Sequence, residues 1–227
     1  MSRVVRHHLL RALMGLALLA GTGLPAHAGA QREEPLADAV RTALSASIAN
    51  AVPPVPRFVD DRRKETYERW KRGAAERLKK RKPDELMREE FLQTVWYEAT
   101  RAGLDPTLVL GLVEVESGFR KYAISVVGAR GYMQVMPFWS RTIGDGDAGR
   151  LFHMQTNLRF GCVILRHYLD IEKGNLFMAL GRYNGSRGRP EYPNAVLGAR
   201  KRWEDAVAAE PAPRVVASVT SASPGTR

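Results

Sequence analysis

Apolar residues recur at helical spacing from residue 83 onward, and this pattern constrains the fold more than any other feature. Between residues 83 and 103 they fall four positions apart, which places them on one face of a helix. A proline and two acidic residues at 83–85 suit a helix start, and Gly103 suits its end. No segment sustains the alternation of a β-strand, so the sequence predicts an all-α fold. The residues of this first repeat are Met87, Phe91, Val95 and Ala99.

Further helices are predicted after Gly103 from the same signals. Asp105 is predicted to cap a helix that begins at Pro106 and ends at Gly118. The glycine-punctuated stretch 125–137 predicts a loop with a short turn. Longer helical patterns cover 151–171, 175–187 and 190–205.

The N-terminus has the composition of a secretory signal sequence. Three arginines come first, an apolar run over 12–20 follows, and Ala26-His27-Ala28 provides a cleavage pattern of small residues. Because the run is too short to span a bilayer, we expect export with cleavage after Ala28, and an uncleaved anchor is the alternative. The single cysteine, Cys162, cannot form a disulfide within the chain, and its apolar helical surroundings predict a small buried side chain.

The predicted mature chain is basic. Residues 1–28 carry three arginines and no acidic residue, so their removal lowers the net charge from +11 to +8. Segment 57–82 has 12 Lys and Arg against 5 Asp and Glu. It is either a solvated helix or a segment attracted to the anionic cell wall or to lipid headgroups. We predict a basic helical and linker extension over 29–82, a compact domain over 83–207 and a disordered tail over 208–227.

Two carboxylates lie near the end of the predicted helix 106–118. Glu114 and Glu116 are two residues apart, which turns about 200° on a helix, so the side chains point to opposite sides. They therefore cannot face each other across one glycosidic bond. On residue type alone, Glu116 is either a carboxylate at a helix end or a half-buried general acid with a raised pKa.

Other catalytic arrangements find little support in the sequence. Ser117 has no neighbouring His and Asp in a triad-like arrangement. His153 and His167 lie fourteen residues apart without a Cys or Asp cluster at ligand spacing, so neither a metal site nor a cofactor is predicted. The basic charge invites nucleic-acid binding, but predicted export and the lack of a binding motif argue against it.

Four sequence blocks occur in order within about residues 90–203. This order resembles the catalytic domain of soluble lytic transglycosylases, which are relatives of goose-type lysozyme. Each block alone is weakly specific, whereas the four together are a strong signature. The resemblance implies a lysozyme-like all-α transglycosylase domain with the basic helical segment as an N-terminal extension. The blocks are Glu116-Ser117-Gly118-Phe119, then 128–137 (GARGYMQVMP), then Asn157 and Gly161 ahead of Tyr168-Leu169, and then 179–185 (ALGRYNG).

The resemblance also implies a reaction and a set of site residues. Glu116 matches the family's single catalytic acid and base, which cleaves the β-1,4 bond between N-acetylmuramic acid and N-acetylglucosamine without water. The product is a 1,6-anhydro sugar, and the substrate is the glycan strand of peptidoglycan. Ser117 is expected to orient Glu116 or bind substrate, whereas Tyr183 and Tyr192 are expected to reach the carboxyl or the substrate. The residues that the resemblance assigns to substrate binding are Ser117, Met133, Gln134, Tyr183, Asn184 and Tyr192.

The chain departs from the family pattern at two places. Tyr132 stands where Leu or Met usually precedes Met-Gln, and it is either a sugar-stacking ring or a core tyrosine with a satisfied hydroxyl. Residues 185–188 (GSRG) stand where the family usually has A-G-P-G. Both changes leave Glu116 intact. They alter residues near the substrate-binding groove that the resemblance implies.

Two other functions compete with the lyase. A lysozyme-like hydrolase would use the same acid with water as the nucleophile. A wall-binding accessory of a secretion system would bind glycan without turnover. The resemblance and the signal sequence together indicate peptidoglycan as the partner and the periplasm of a Gram-negative cell as the location, with a secretion system as a further partner to test.

Overall fold

The structure is a computed structural model that describes residues 55–143 and 146–210. The predicted signal sequence, the first part of the predicted extension and most of the predicted tail lie outside the described residues. Within this part of the chain every regular element is a helix, and β-pairing is limited to isolated bridges of Arg130 with Ile124 and Val135. The all-α prediction is confirmed. The helices are α1 (Asp61–Leu78), α2 (Glu85–Arg101), α3 (Pro106–Ser117), α4 (Phe138–Ile143), a 3-10 helix (Ala148–Phe152), α5 (Met154–Ile171), α6 (Leu176–Asn184) and α7 (Glu191–Ala208).

Local sequence signals set the ends of α3. The side chain of Asp105 accepts hydrogen bonds from the backbone N–H groups of Thr107 and Leu108, at 2.7 and 3.4 Å. It thereby satisfies donors that the first turn of a helix leaves unpaired. Gly118 ends the helix in the left-handed conformation, with φ of 57°, which favours glycine because it has no Cβ. Both predicted ends of this helix are confirmed.

Helix α3 runs through the centre of the molecule. Nine of its twelve residues are buried, and its most extensive contact is with α7. Gly111 permits this contact, because a Cβ at that position would lie 2.6 Å from the backbone nitrogen of Arg200. A helix enclosed in this way carries its last turn, and with it Glu116, into the interior of the protein.

Helices α2 and α5 pack together through a buried ion pair. Glu98 and Arg159 are both almost fully buried, and one oxygen of Glu98 accepts hydrogen bonds from Nε and Nη2 of Arg159 at 3.0 and 2.8 Å. Charge-assisted bonds of this kind offset part of the desolvation that burial imposes on both groups. Cys162, on the same helix α5, is buried as predicted. The predicted helix 151–171 begins later than expected, because residues up to Phe152 form the 3-10 helix.

Helix α1 belongs to the packed unit, although the sequence predicts the compact domain only from residue 83. Gly73 lies against α7 so closely that a Cβ there would be 2.6 Å from the carbonyl oxygen of Ala206. The basic side chains of α1 lie around the helix and most of them are exposed, among them Arg62, Arg63 and Lys64. None of the described helices combines the length and apolar character needed to cross a membrane. The side chains that α1 contributes to the hydrophobic core are Tyr67, Trp70, Ala74 and Leu78.

Candidate active site

Glu116 is a buried carboxyl at the C-terminal end of α3, with 5% of its surface exposed. Its Oε1 accepts a hydrogen bond of 2.6 Å from the hydroxyl of Tyr192, on the first turn of α7. Its Oε2 is buried without a hydrogen-bond partner among the described residues. Burial disfavours the charged form and raises the pKa of Glu116 to about 8, while the bond from Tyr192 opposes the rise. At neutral pH this carboxyl therefore holds a proton that it can donate.

Glu114 lies on the opposite side of α3, as the helical geometry predicts. It pairs with three arginines, Arg202 at 3.1 Å, Arg81 at 3.7 Å and Arg77 at 3.8 Å. These arginines come from α7, from α1 and from the segment that follows α1. Glu114 therefore stays engaged in ion pairs away from Glu116, and the two carboxylates do not form a catalytic pair.

A tight turn at residues 131–134 passes beside the end of α3 and is held by α5. Asn157 accepts a hydrogen bond from the backbone nitrogen of Met133 and donates to the carbonyls of Arg130 and Leu151, each at 2.8 Å. One turn further along α5, Gly161 leaves space for Met133, because a Cβ there would lie 2.3 Å from its sulfur. The Asn-x-x-x-Gly block therefore holds this turn against α5. The i, i+4 spacing of the block was the signal that could have assigned Asn157 to the site.

Ser117 and Tyr132 connect α3 to the turn. The hydroxyl of Ser117 donates to the carbonyl of Tyr132 at 2.8 Å, which ties the residue next to Glu116 to the turn backbone. The ring of Tyr132 is 1% exposed, and its hydroxyl accepts a hydrogen bond of 2.7 Å from Nζ of Lys82. Tyr132 is therefore a core tyrosine with a satisfied hydroxyl, and the sugar-stacking alternative is wrong for this conformation.

Met133 and Gln134 are buried in the structure. The amide nitrogen of Gln134 donates to the carbonyls of Gly131 and Ala123, at 3.0 and 3.2 Å. Gln134 also has a positive φ of 48°, a strained conformation for a residue with a side chain. Both side chains support the backbone of the turn, and their contact with a substrate stays a prediction.

Tyr183 and Asn184 approach the turn from the end of α6. The hydroxyl of Tyr183 donates to the carbonyl of Met133 at 2.7 Å, so Tyr192 rather than Tyr183 supplies the hydrogen bond to Glu116. Nδ2 of Asn184 donates to the hydroxyl of Ser186 at 3.0 Å, while Oδ1 of Asn184 is buried without a partner. Unpaired buried acceptors are rare in folded proteins, and Asn184 and Glu116 each carry one in this part of the molecule.

The described residues contain no group of three or more His, Cys, Asp or Glu that could hold a metal ion. Glu116 is a buried carboxyl that keeps its proton at neutral pH, and such a group can transfer a proton.

Comparison with known proteins gives a family for this arrangement. The family model described as the transglycosylase SLT domain matches residues 93–205, which include Glu116 and all four sequence blocks. Residues 93–205 belong to the transglycosylase SLT domain family. Helix α1 lies outside the SLT match, although it packs into the same core.

Relatives of known name share the SLT region. The membrane-bound lytic murein transglycosylase C of Actinobacillus pleuropneumoniae serotype 5b is 36% identical over 99 residues, 43% of this chain and 26% of the relative. Its namesake from Haemophilus influenzae strain PittEE is 42% identical over 119 residues, 46% of this chain and 33% of the relative. The transglycosylase of Enterobacteria phage PRD1 is 31% identical over 103 residues, 45% of this chain and 37% of the relative. The matched part of the chain thus spans between 26% and 37% of the length of these relatives.

Two solved structures are similar to parts of the chain. An inactive variant of the lytic transglycosylase Slt from Pseudomonas aeruginosa matches with a TM-score of 0.47 and 18% identity, over 70% of this chain and 39% of that one. The 70 kDa soluble lytic transglycosylase of Escherichia coli matches with a TM-score of 0.38 and 18% identity, over 64% and 26% of the respective chains.

Proposed function

We propose that the chain is a peptidoglycan lytic transglycosylase in which Glu116 is the single general acid and base. The observation that carries the proposal is the state of Glu116, which is buried, has its pKa raised to about 8, and has one oxygen bonded by Tyr192 and the other unpaired. Such a carboxyl is protonated at neutral pH and has a free oxygen for a substrate. The names of the curated relatives, lytic murein transglycosylases among them, support the same activity.

The proposed reaction begins with proton donation. Oε2 of Glu116 gives its proton to the oxygen that joins C1 of N-acetylmuramic acid to C4 of N-acetylglucosamine, and the C1–O bond breaks. The carboxylate then removes the proton from the 6-hydroxyl of the same N-acetylmuramic acid. That oxygen attacks C1 and closes the 1,6-anhydro ring. Protons balance over the two steps, no water is consumed, and no cofactor is required. One carboxylate is sufficient because the nucleophile belongs to the substrate, which agrees with Glu114 pointing away.

The remaining predicted site residues have proposed roles around this carboxyl. Tyr192 holds Oε1 of Glu116 and thereby leaves Oε2 to the substrate. Asn184 accepts a hydrogen bond from a sugar hydroxyl or acetamido group through its unpaired Oδ1. Ser117 and Tyr183 fix the turn that carries Met133 and Gln134 beside the end of α3. The hydrogen bonds of Ser117 to Tyr132 and of Tyr183 to Met133 support this assignment.

The location and the partners are proposals of the same kind. We propose export to the periplasm of a Gram-negative cell, supported by the signal-like sequence of residues 1–28. The glycan strands of peptidoglycan are the substrate. The exposed basic side chains of α1 are the proposed point of contact with an anionic wall or membrane surface, or with a secretion-system component.

Mass spectrometry of digested murein sacculi tests the activity. The chain lacking residues 1–28 is compared with Glu116→Gln, which keeps the shape of the side chain and loses its proton chemistry. Glu191→Gln removes an exposed carboxylate next to Tyr192 and serves as the control. We expect anhydro-muropeptides from the wild-type and control proteins and none from Glu116→Gln. Products one water heavier would identify a hydrolase, and binding to sacculi without products would identify a wall-binding module.

A further inference from the structure

The loop between α6 and α7 is one of the two places where the chain departs from the usual family pattern. An acidic residue, Glu172, attaches this loop to the end of α5. Oε1 of Glu172 accepts hydrogen bonds from Nε of Arg182 at 2.8 Å and from Nε of Arg187 at 2.7 Å. Its Oε2 accepts a third from Nη2 of Arg187 at 3.0 Å. Glu172, Arg182 and Arg187 are referred to below as the Glu172 clamp.

The Glu172 clamp has the features of a rigid attachment. The Glu172 side chain is only 7% exposed, and the hydrogen bond from Arg187 is the main cause that lowers the pKa of Glu172 to about 2. The carboxylate is therefore ionised at neutral pH, as its contacts with the two arginines require. The two-bond contact with Arg187 fixes the orientation of the guanidinium as well as its distance.

The segment that the clamp holds is short and lies between two proposed site residues. Asn184 is the last residue of α6, and its amide donates to Ser186 in the loop. The backbone nitrogen of Ser186 donates to the carbonyl of Gly181 at 2.7 Å, which folds the loop back onto α6. At its other end the loop leads into α7, whose second residue, Tyr192, bonds Glu116. Arg187 is thus three residues from Asn184 and five from Tyr192.

We infer that the Glu172 clamp positions Asn184 and Tyr192 for catalysis, so that Glu172 and Arg187 are positioning residues of the active site. They act through the loop and do not touch the reacting atoms. The catalytic part of this inference rests on the proposed function, since only an active enzyme needs a positioned Glu116. The structural part, the placement of Tyr192 on Glu116 by the clamp, can be measured without turnover.

The pKa of Glu116 reports the placement of Tyr192, because the hydrogen bond from Tyr192 lowers it. Loss of that bond raises the pKa of Glu116 in both Glu172→Gln and Arg187→Gln. Simple charge effects give opposite signs, since removing a negative charge lowers the pKa of a carboxyl and removing a positive charge raises it. Titration of the Glu116 carboxyl carbon by ¹³C NMR distinguishes loss of the Tyr192 bond from a simple charge effect. The signal is assigned through Glu116→Gln. We expect an increase of about 0.5 or more in both variants.

Kinetics on soluble glycan strands provide the second measurement. We expect kcat to fall about tenfold in both variants, with a smaller change in KM, because misplacement of catalytic groups affects the transition state most. Arg187→Lys keeps the charge, loses the two-bond contact and should give an intermediate loss. Arg166→Gln is the matched control, since it removes an exposed ion pair with Asp170 on the same helix α5 and should change neither kcat nor the pKa of Glu116.

The outcomes separate the clamp from the proposed function. Shifts of opposite sign in the two variants, or no shift in either, would overturn positioning and leave the clamp a purely stabilising contact. If Glu172→Gln fails to fold by circular dichroism, Arg187→Lys still decides, because it keeps the positive charge and only loss of the Tyr192 bond would then raise the pKa of Glu116. The Arg187 side chain is half exposed, so this change should not prevent folding. Absence of products from the wild-type protein would refute the lyase proposal, while the NMR titration would still test the clamp.

Discussion

At the scale of single residues, the chemistry of Glu116 follows from where α3 ends. The helix is buried on almost all sides, so its last turn carries the carboxyl into an environment where water does not solvate it. A charged carboxylate is disfavoured there, and the proton is retained to a pH of about 8. Tyr192 provides the only hydrogen bond to Glu116 found among residues 55–143 and 146–210, and it favours the ionised form.

Replacing Tyr192 by Phe tests that bond. Because the bond lowers the pKa of Glu116, its loss should raise this pKa and move the alkaline fall of kcat/KM to higher pH. The maximal rate should fall roughly tenfold to hundredfold, since the carboxyl loses its orientation. A pH–rate profile measures both effects. Tyr97→Phe, on the outer part of α2, is the control, and an unchanged alkaline limb in Tyr192→Phe would contradict the assignment.

Glu116→Gln should alter the pH dependence of stability. The pKa of Glu116 is about 8 in the folded protein and near 4.5 in an unfolded chain, so the folded state binds more protons between these values. The free energy of unfolding of the wild-type protein should therefore fall as pH rises from about 4.5 to 8. Glutamine does not titrate, so the free energy of unfolding of the variant does not fall in this way. Relative to the wild-type protein, the variant should gain up to roughly 5 kcal/mol at pH 9 and almost none at pH 4.

Urea denaturation at pH 4, 6.5 and 9 measures this difference. Glu191→Gln removes an exposed carboxylate and should show no comparable trend. If the advantage of Glu116→Gln over the wild-type protein were the same at all three pH values, Glu116 would have an ordinary pKa.

At the scale of elements, α5 provides the support for the turn at 131–134. Asn157 forms hydrogen bonds with three backbone groups around the turn. Gly161 has no side chain and so leaves space for the side chain of Met133. The two lie one helical turn apart, so a single face of α5 fixes both the path of the backbone and the position of one side chain. Because Ser117 and Tyr183 also bond to this turn, α3, α5 and α6 all converge on it.

Gly161→Ala should disturb this convergence. The added Cβ would lie 2.3 to 2.7 Å from Met133 atoms, so Met133 must move and the turn with it. We expect the free energy of unfolding to fall by about 1–3 kcal/mol, as in other overpacked cores. Gly198→Ala in α7 is the matched control, since a Cβ there would meet only Nη1 of Arg202, at 3.9 Å. This variant should gain up to about 1 kcal/mol from helix propensity. Urea denaturation of the two variants measures these changes. Equal changes in the free energy of unfolding would contradict the packing argument.

Sequence patterns predict the elements whose signals are local. Asp105 and Gly118 delimit α3 because caps act over a few residues, and the opposite directions of Glu114 and Glu116 follow from helix geometry alone. The contacts of the site residues were less predictable. Tyr183 bonds a carbonyl 50 positions earlier in the chain, and Tyr132 bonds Lys82, also 50 positions earlier. No periodicity in a single sequence specifies such long-range partners, so the motifs identify the participants but not their contacts.

At the scale of the whole molecule, α1 packs against α7 and α2 and reaches Glu114, on the side of α3 opposite Glu116, through Arg77. Glu114 is 11% exposed and joins α3 to arginines on both sides of it. Arg77 also lies over the ring of Trp203, at 4.8 Å from its centroid, and Arg81 lies over Phe119 at 5.5 Å. Arg77 and Arg81, two of the twelve basic residues of segment 57–82, therefore help to hold α1 and the residues after it against the rest of the protein.

Truncation tests whether the SLT match can fold without α1. A chain of residues 83–210 would expose Trp203 and Phe119 and leave Glu114 without two of its arginines. We expect it to lose cooperative urea unfolding, because it loses an entire face of the core and keeps a partly buried charge with fewer partners. A chain of residues 55–210 should unfold cooperatively. Gly73→Ala in that longer chain should lower its midpoint, since the new Cβ would lie 2.6 Å from the carbonyl of Ala206. Equal urea midpoints for chains 83–210 and 55–210 would make α1 an accessory helix. The folding unit would then be the part of the chain that contains the family match.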